Sequence, residues 1–116
     1  MILIASDSCQ KDEKSIPEKV IGNWEWVKTI IPYGQQETNP RTDGFTMNFE
    51  FSSNGTIKEY KNGLLESTSN YSISKDQHGY VLSSTIITSH FYFVNDTLIF
   101  SEAYVNGPAY YFRRSR

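Results

Sequence analysis

Residues 45–61 read FTMNFEFSSNGTIKEYK, and this stretch decides the fold class. Large apolar side chains occupy every second position from Phe45 to Phe51, with Thr, Asn and Glu between them. A period of two is typical of a strand with one buried and one solvated face. Asn54-Gly55 follows, and this pair tolerates the positive φ angles of a tight hairpin turn. Residues 56–61 are β-rich again, so the stretch predicts an antiparallel hairpin.

The same turn signals recur along the rest of the chain. Asn62-Gly63 and Asn106-Gly107 repeat the Asn-Gly pair, and two polar segments, Asn95-Asp96 and residues 75–79, also separate β-rich runs. Turn signals at strand-length spacing predict strands joined by hairpins. The eight predicted strands are residues 23–31, 45–52, 56–61, 64–74, 80–84, 86–94, 97–104 and 109–114.

One connection is longer than these tight turns. Residues 32–44 contain two prolines and two glycines, which predict a loop. The other strands follow one another through tight turns, which predicts an up-and-down meander. An open meander would expose two long edges, and closure into a barrel removes them. We therefore expect an all-β fold, a small antiparallel up-and-down β-barrel that spans residues 21–116.

Size, charge and cysteine content exclude several classes of protein. The chain has 116 residues, a length at which one core and one domain are usual. Lys and Arg number 11 against 13 Asp and Glu, so a nucleic-acid-binding protein, which needs a basic face, is not expected. The single cysteine excludes an intramolecular disulfide and a zinc site built on paired thiolates. No apolar run approaches the ~18–20 residues of a membrane-spanning helix.

Residues 1–20 differ in character from the rest of the chain. An apolar stub, residues 1–5, precedes Cys9, and a charged stretch follows it. The stub resembles the end of a truncated signal peptide, and Cys9 resembles the lipidated cysteine of a bacterial lipoprotein. Residues 9–13, CQKDE, are similar to the signal after that cysteine in Bacteroidota lipoproteins sent to the cell surface. The alternative is an ordinary, loosely ordered N-terminus with a free thiol.

The resemblance implies a lipid anchor at Cys9 in the outer membrane, and more than one acyl chain is needed for stable anchoring. Residues 10–20 would then form a polar tether, in which Pro17 is expected to discourage a helix.

The two ends of the predicted barrel carry a second resemblance. Gly22-Asn23-Trp24 opens the first strand, the motif FSSNGT occupies residues 51–56, and Arg113 and Arg114 close the last strand. These motifs resemble the compact lipocalin-like domains of Bacteroidota lipoproteins. The resemblance implies that an arginine of the last strand lies over Trp24 beside Gly22 and closes the barrel floor, an arrangement that a cation–π contact stabilises. Either arginine could do so. Arg114 is favoured, because it lies two residues after Phe112 and therefore on the same face of the strand.

The inward aromatic side chains allow two interpretations. An eight-stranded barrel is just wide enough to be filled by side chains or to hold one small ligand. If a pocket exists, we expect it to open near residues 32–44, opposite the Trp24 floor. The candidate ligand-binding residues are Tyr33, Arg41, Phe45, Met47, Phe49, Phe91 and Phe93.

Catalytic and metal-binding patterns are absent from the sequence. Neither His78 nor His90 has a partner at metal-ligand spacing, and no nucleophile elbow or phosphate-binding glycine loop occurs. We therefore expect no metal, cofactor or catalytic residue. The leading hypothesis is a non-enzymatic, lipid-anchored cell-envelope protein that binds a small hydrophobic ligand. The alternative is a solid-barrel surface module that contacts a protein or glycan, and a small hydrolase or isomerase acting at the barrel mouth ranks third.

Overall fold

The computed structural model describes residues 15–32, 36–102 and 107–115, which form one curled sheet and two short helices. Cys9, Tyr33 and Asn106, singled out above, lie outside these ranges. The elements in chain order are α1 Ile16–Val20, β1 Gly22–Ile31, β2 Gln36–Thr38, α2 Pro40–Asp43, β3 Met47–Phe51, β4 Thr56–Lys61, β5 Leu64–Asp76, β6 Gly79–Ser84, β7 Ser89–Val94, β8 Thr97–Ser101 and β9 Ala109–Arg114. Within these ranges, no helix is long and apolar enough to cross a membrane.

The strands pair antiparallel in a sheet that curls back onto its first strand. Their order is β2-β1-β3-β4-β5-β6-β7-β8-β9, and β1 pairs with β9 as well. Trp24 of β1 accordingly has Phe49 of β3 as its Cα partner on one side and Arg114 of β9 on the other. The long β5 pairs with β4 up to Asn70 and with β6 from Tyr71 onward. The result is an up-and-down half-barrel, which confirms the predicted all-β, barrel-like fold.

The predicted loop at residues 32–44 contains two elements that the sequence analysis did not anticipate. β2 adds three residue pairs to the edge of β1. That edge is open because β3 pairs only with the first four residues of β1. α2 is a single turn in which Asn39 accepts a hydrogen bond from the Thr42 N–H at 2.9 Å. Pro40 stands in its first turn, where the missing N–H costs nothing.

Two of the Asn-Gly pairs form different turns. Asn62 and Gly63 have φ angles of 52° and 80°, and they form the expected two-residue hairpin turn between β4 and β5. Asn54-Gly55 instead belongs to a three-residue loop, because the Ser52 N–H donates to the Thr56 carbonyl at 2.8 Å. Only Gly55 of that pair has a positive φ, 88°. A three-residue loop with glycine at its last position is the next commonest hairpin connection.

The segment before β1 packs against the barrel as helix α1, contrary to the expectation that Pro17 discourages a helix in the tether. Ser15 and Glu18 form a reciprocal capping box, and Pro17 lies in the first turn, where proline is tolerated. Val20 at the end of α1 is 1 % exposed and belongs to the core. Its carbonyl accepts a hydrogen bond from Trp24 Nε1 at 2.8 Å. The end of the predicted tether is therefore part of the folded domain.

The core is predominantly aromatic and fills the middle of the half-barrel. Phe49 stacks on Phe112 with ring centroids 4.9 Å apart, and Phe100 meets Phe112 edge to face at 5.7 Å. The inward residues of β3 follow the predicted alternation, with Phe49 and Phe51 buried. Such aromatic pairs stabilise a core beyond the area that they bury.

Candidate functional site

Arg114, the last residue of β9, lies over the buried ring of Trp24. Its guanidinium carbon lies 4.2 Å from the centre of the Trp24 ring. Its Nη1 donates to the Ile21 carbonyl at 3.0 Å and its Nη2 to the Lys19 carbonyl at 2.9 Å. Because Cβ of any residue at position 22 would lie 2.5 Å from Nη1, only glycine leaves room for this arginine. Arg114 thus joins β9 to α1 across Trp24.

Arg113 takes the opposite face of β9, as strand alternation requires. Its Nε donates to Glu25 Oε1 at 3.0 Å, and its side chain is 68 % exposed. Of the two arginines that the sequence left open, Arg114 is the one over the indole ring. Gly22, Trp24 and Arg114 therefore lie together, in the arrangement that the lipocalin-like resemblance implied.

A cavity of about 340 Å³ lies towards the end of the half-barrel opposite Arg114. Tyr110, near the start of β9, borders it, whereas Arg114 ends the same strand. Its volume matches the lower range of small-molecule sites, about 300–1,000 Å³. Thr88 and Tyr110 are exposed and mark its opening. Its lining is Met47, Phe49, Ile86, Ile87, Thr88, Ser89, Glu102, Pro108, Tyr110 and Phe112.

A side-chain-stabilised turn forms one wall of this cavity. Ser84 Oγ accepts hydrogen bonds from the N–H groups of Ile86 and Ile87 at 3.1 and 2.9 Å, and it donates to the Ile87 carbonyl at 2.8 Å. Thr88 Oγ1 donates to the Ser84 carbonyl at 2.9 Å. Serine and threonine favour such local backbone bonds over a strand ladder. The predicted strand 86–94 consequently begins only at Ser89, and the two isoleucines face the cavity.

The structure brings only part of the predicted ligand-binding set to the cavity. Met47 and Phe49 line it. Phe45 precedes β3 and stacks on Trp26 with centroids 5.5 Å apart, and Arg41 is exposed on α2. Within the described part of residues 32–44, no residue lines the cavity.

Phe91 and Phe93 belong to the packed core. Phe91 is 3 % exposed and meets the ring of Phe100 at 6.0 Å. Phe93 packs against Trp24 at 5.8 Å, because it lies farther along β7 towards the floor. These two side chains help to fill the barrel instead of lining its cavity.

Phe112, an inward aromatic residue of the last strand, also lines the cavity, whereas the other lining residues were not anticipated from the sequence. Ser84 and Thr88 flank an Ile-Ile pair, and this Ser/Thr pattern was the one available signal for a turn at that place. Glu102 and Pro108 reach the cavity only through the pairing of β8 with β9, and no local pattern marks them.

Beside the cavity lies a cluster of one histidine between two carboxylates. His90 Nε2 is 2.9 Å from both Asp76 oxygens, and His90 Nδ1 is 3.2 Å from Glu102 Oε1. The backbone N–H of His90 also donates to Glu102 Oε2 at 2.8 Å. The hydrogen bond with Asp76 is the main cause that raises the pKa of His90, and the same bond lowers the pKa of the Asp76 carboxyl. Both shifts favour an imidazolium held between two carboxylates.

This cluster connects β5 and β7 to the residue that follows β8. Both ring nitrogens of His90 face carboxylates, Asp76 at 2.9 Å and Glu102 at 3.2 Å, and hydrogen bonds between charged groups are stronger than neutral ones. Nearby, Ser89 Oγ donates to the His90 carbonyl at 2.8 Å. In the described ranges, no three His, Cys, Asp or Glu side chains are placed to hold a metal ion.

Two other depressions fit a ligand less well. One of about 480 Å³ lies beside Asp96 and Arg114, and its lining is mostly polar. Its arginines are already engaged, Arg114 with the floor and Arg113 with Glu25. The other, of about 280 Å³, is a shallow groove between α1 and β5.

No family model matches this chain, and no curated protein matches it.

Proposed function

We propose that this protein is a non-enzymatic, lipid-anchored cell-envelope protein that binds a small hydrophobic ligand in the cavity opposite the Arg114 floor. The observation that carries the proposal is the cavity of about 340 Å³ with a mainly apolar wall. Small-molecule sites are typically concave and apolar with few polar groups. At the other end of the barrel, Arg114 binds the Ile21 and Lys19 carbonyls beside α1, so the proposed ligand site is the cavity near Tyr110.

Filling the cavity tests the binding proposal. Wild-type protein is expected to enhance the fluorescence of N-phenyl-1-naphthylamine, a neutral probe that emits strongly in apolar surroundings. Met47→Trp places a larger ring in the cavity wall and is expected to weaken probe binding about tenfold or more, a loss of ~1.4 kcal/mol or more. Fluorescence titration gives both dissociation constants.

Leu65→Trp is the matched control, because Leu65 is 54 % exposed and does not border the cavity. This variant adds the same ring and should bind the probe as the wild type does. Equal affinities for Met47→Trp and Leu65→Trp would show that the probe binds elsewhere.

The lipid anchor is supported by the sequence around Cys9. When the chain is expressed behind a complete lipoprotein signal sequence in a Bacteroidota host, Cys9 is expected to carry a diacyl or triacyl mass increment. Intact-mass spectrometry of the membrane fraction measures it, and Cys9→Ser should abolish both the increment and the membrane association. An unmodified wild-type chain would remove the anchor from the proposal.

A second candidate function is a surface module that contacts a protein or glycan. One observation favours it: Leu64 and Leu65, next to the β4–β5 turn, are 70 % and 54 % exposed. Successive strand side chains point to opposite faces, so each face of this hairpin end presents one large apolar side chain to a partner. Failure of the wild-type protein to bind the neutral probe would make this the better assignment.

A further inference from the structure

We propose that the cavity selects amphipathic ligands whose polar end is a cationic amine and discriminates against ligands that end in a carboxylate. This inference rests on the proposed ligand-binding function and specifies the ligand class. It follows from the chemistry of the cavity wall and from the cluster of Asp76, His90 and Glu102 beside it.

Glu102 is the only charged residue among the described residues that line the cavity. The other lining side chains are apolar or carry hydroxyl groups, so an ammonium at this wall has one ionic partner. Charge-assisted hydrogen bonds from ammonium to carboxylate are about twice as strong as neutral ones. In a mainly apolar site, a single fixed polar group of this kind sets ligand orientation and specificity.

The Glu102 carboxylate is held in place from two directions. Oε2 accepts the backbone N–H of His90 at 2.8 Å, and Oε1 lies 3.2 Å from His90 Nδ1. The Glu102 carbonyl accepts the Gly107 N–H at 3.0 Å. A Cβ at position 107 would lie 2.9 Å from Glu102 Cβ, so glycine lets the chain close on this residue. A carboxylate fixed in this way loses little conformational freedom when it binds a ligand.

Among the described residues, no cationic side chain lines the cavity. Asp76 and Glu102 face the imidazole of His90, and the ring of His78 lies 5.7 Å from that of His90. Lys75, the residue before Asp76, places its Nζ 5.1 Å from the Tyr80 ring centre and is not a lining residue. A ligand carboxylate would therefore lie near a like charge with no cationic side chain among the described lining residues, which is unfavourable in a partly desolvated site.

Three probes of one shape isolate the effect of the polar end: 4-phenylbutylamine, 4-phenylbutanol and 4-phenylbutanoate. Isothermal titration calorimetry at neutral pH is expected to show that wild-type protein binds the amine about tenfold more tightly than the carboxylate, with the alcohol between them. Glu102→Gln keeps the shape of the side chain and removes its charge. This variant should bind the amine about tenfold more weakly than the wild type and bind the alcohol within about threefold of the wild-type affinity. The ratio of the amine and carboxylate affinities should become smaller.

Glu66→Gln is the matched control for net charge, because Glu66 is exposed on β5 and does not line the cavity. It should leave all three affinities unchanged. The inference is overturned if the carboxylate binds as tightly as the amine, or if Glu102→Gln leaves the amine affinity unchanged. If Glu102→Gln fails to fold, the ratio of the wild-type affinities for the amine and the carboxylate tests the inference without the variant. If neither these probes nor the neutral naphthylamine bind, it is the proposed ligand-binding function that fails.

Discussion

Trp24→Ala is expected to lower the free energy of unfolding by about 3–5 kcal/mol, the usual range for removing a fully buried large aromatic side chain. Trp24 is 1 % exposed and packs against Phe93 on one side and Arg114 on the other. Its Nε1 also donates the hydrogen bond that ties the Val20 carbonyl to the barrel. Urea denaturation followed by far-ultraviolet circular dichroism measures the loss.

Trp24→Phe separates the two contributions of this side chain. It keeps an aromatic ring under Arg114 but removes the N–H, so the Val20 carbonyl loses its donor. We expect a smaller loss, about 1–2 kcal/mol, since an unsatisfied buried polar group costs this much. A loss below ~1 kcal/mol for Trp24→Ala would contradict the buried position of the ring, because cavity formation alone costs more.

The contact between Arg114 and Trp24 was the part of the site that the sequence predicted best. Strand alternation from Phe112 is enough to place Arg114 on the inner face, since side chains two residues apart share a face. Met47 and Phe49 were accessible in the same way, through the alternation in β3. Local periodicity was enough to favour Arg114 over Arg113 and to place Met47 and Phe49, whereas the contact of an arginine with Trp24 was implied by the lipocalin-like resemblance.

The cavity wall was less accessible because non-local contacts determine it. The cluster joins His90 to Asp76 and Glu102, which are 14 and 12 residues away, through pairing of neighbouring strands. Residues 84–88 look like strand by composition, yet the Ser84 hydroxyl satisfies backbone groups that a ladder would otherwise pair. β2 forms because part of the β1 edge is left open, which no pattern within residues 36–38 indicates.

Gly22→Ala is expected to cost about 2–4 kcal/mol for two reasons that act together. Gly22 has a φ of +135°, and a non-glycine residue in such a conformation costs about 1–3 kcal/mol. An added Cβ would also lie 2.5 Å from Arg114 Nη1, so the guanidinium must shift and its hydrogen bonds to the Ile21 and Lys19 carbonyls are weakened. Hydrogen bonds from charged groups contribute about 1.5–3 kcal/mol. Urea denaturation of the variant measures the total.

Gly79→Ala is the control for backbone strain alone, because Gly79 has a φ of +123°, close to that of Gly22, and an added Cβ there meets nothing within 4 Å. It should cost about 1–2 kcal/mol. A double-mutant cycle isolates the cost of the clash with Arg114. When Arg114 is already replaced by alanine, Gly22→Ala should no longer carry this steric cost, so the coupling free energy between the two substitutions should be about 1–2 kcal/mol. If Gly22→Ala and Gly79→Ala lowered the free energy of unfolding equally, or if Gly22→Ala and Arg114→Ala were additive, Arg114 would not need the space beside Gly22. A measured coupling would instead make Gly22, Trp24 and Arg114 one energetic unit, since the glycine provides the room in which the arginine covers the indole.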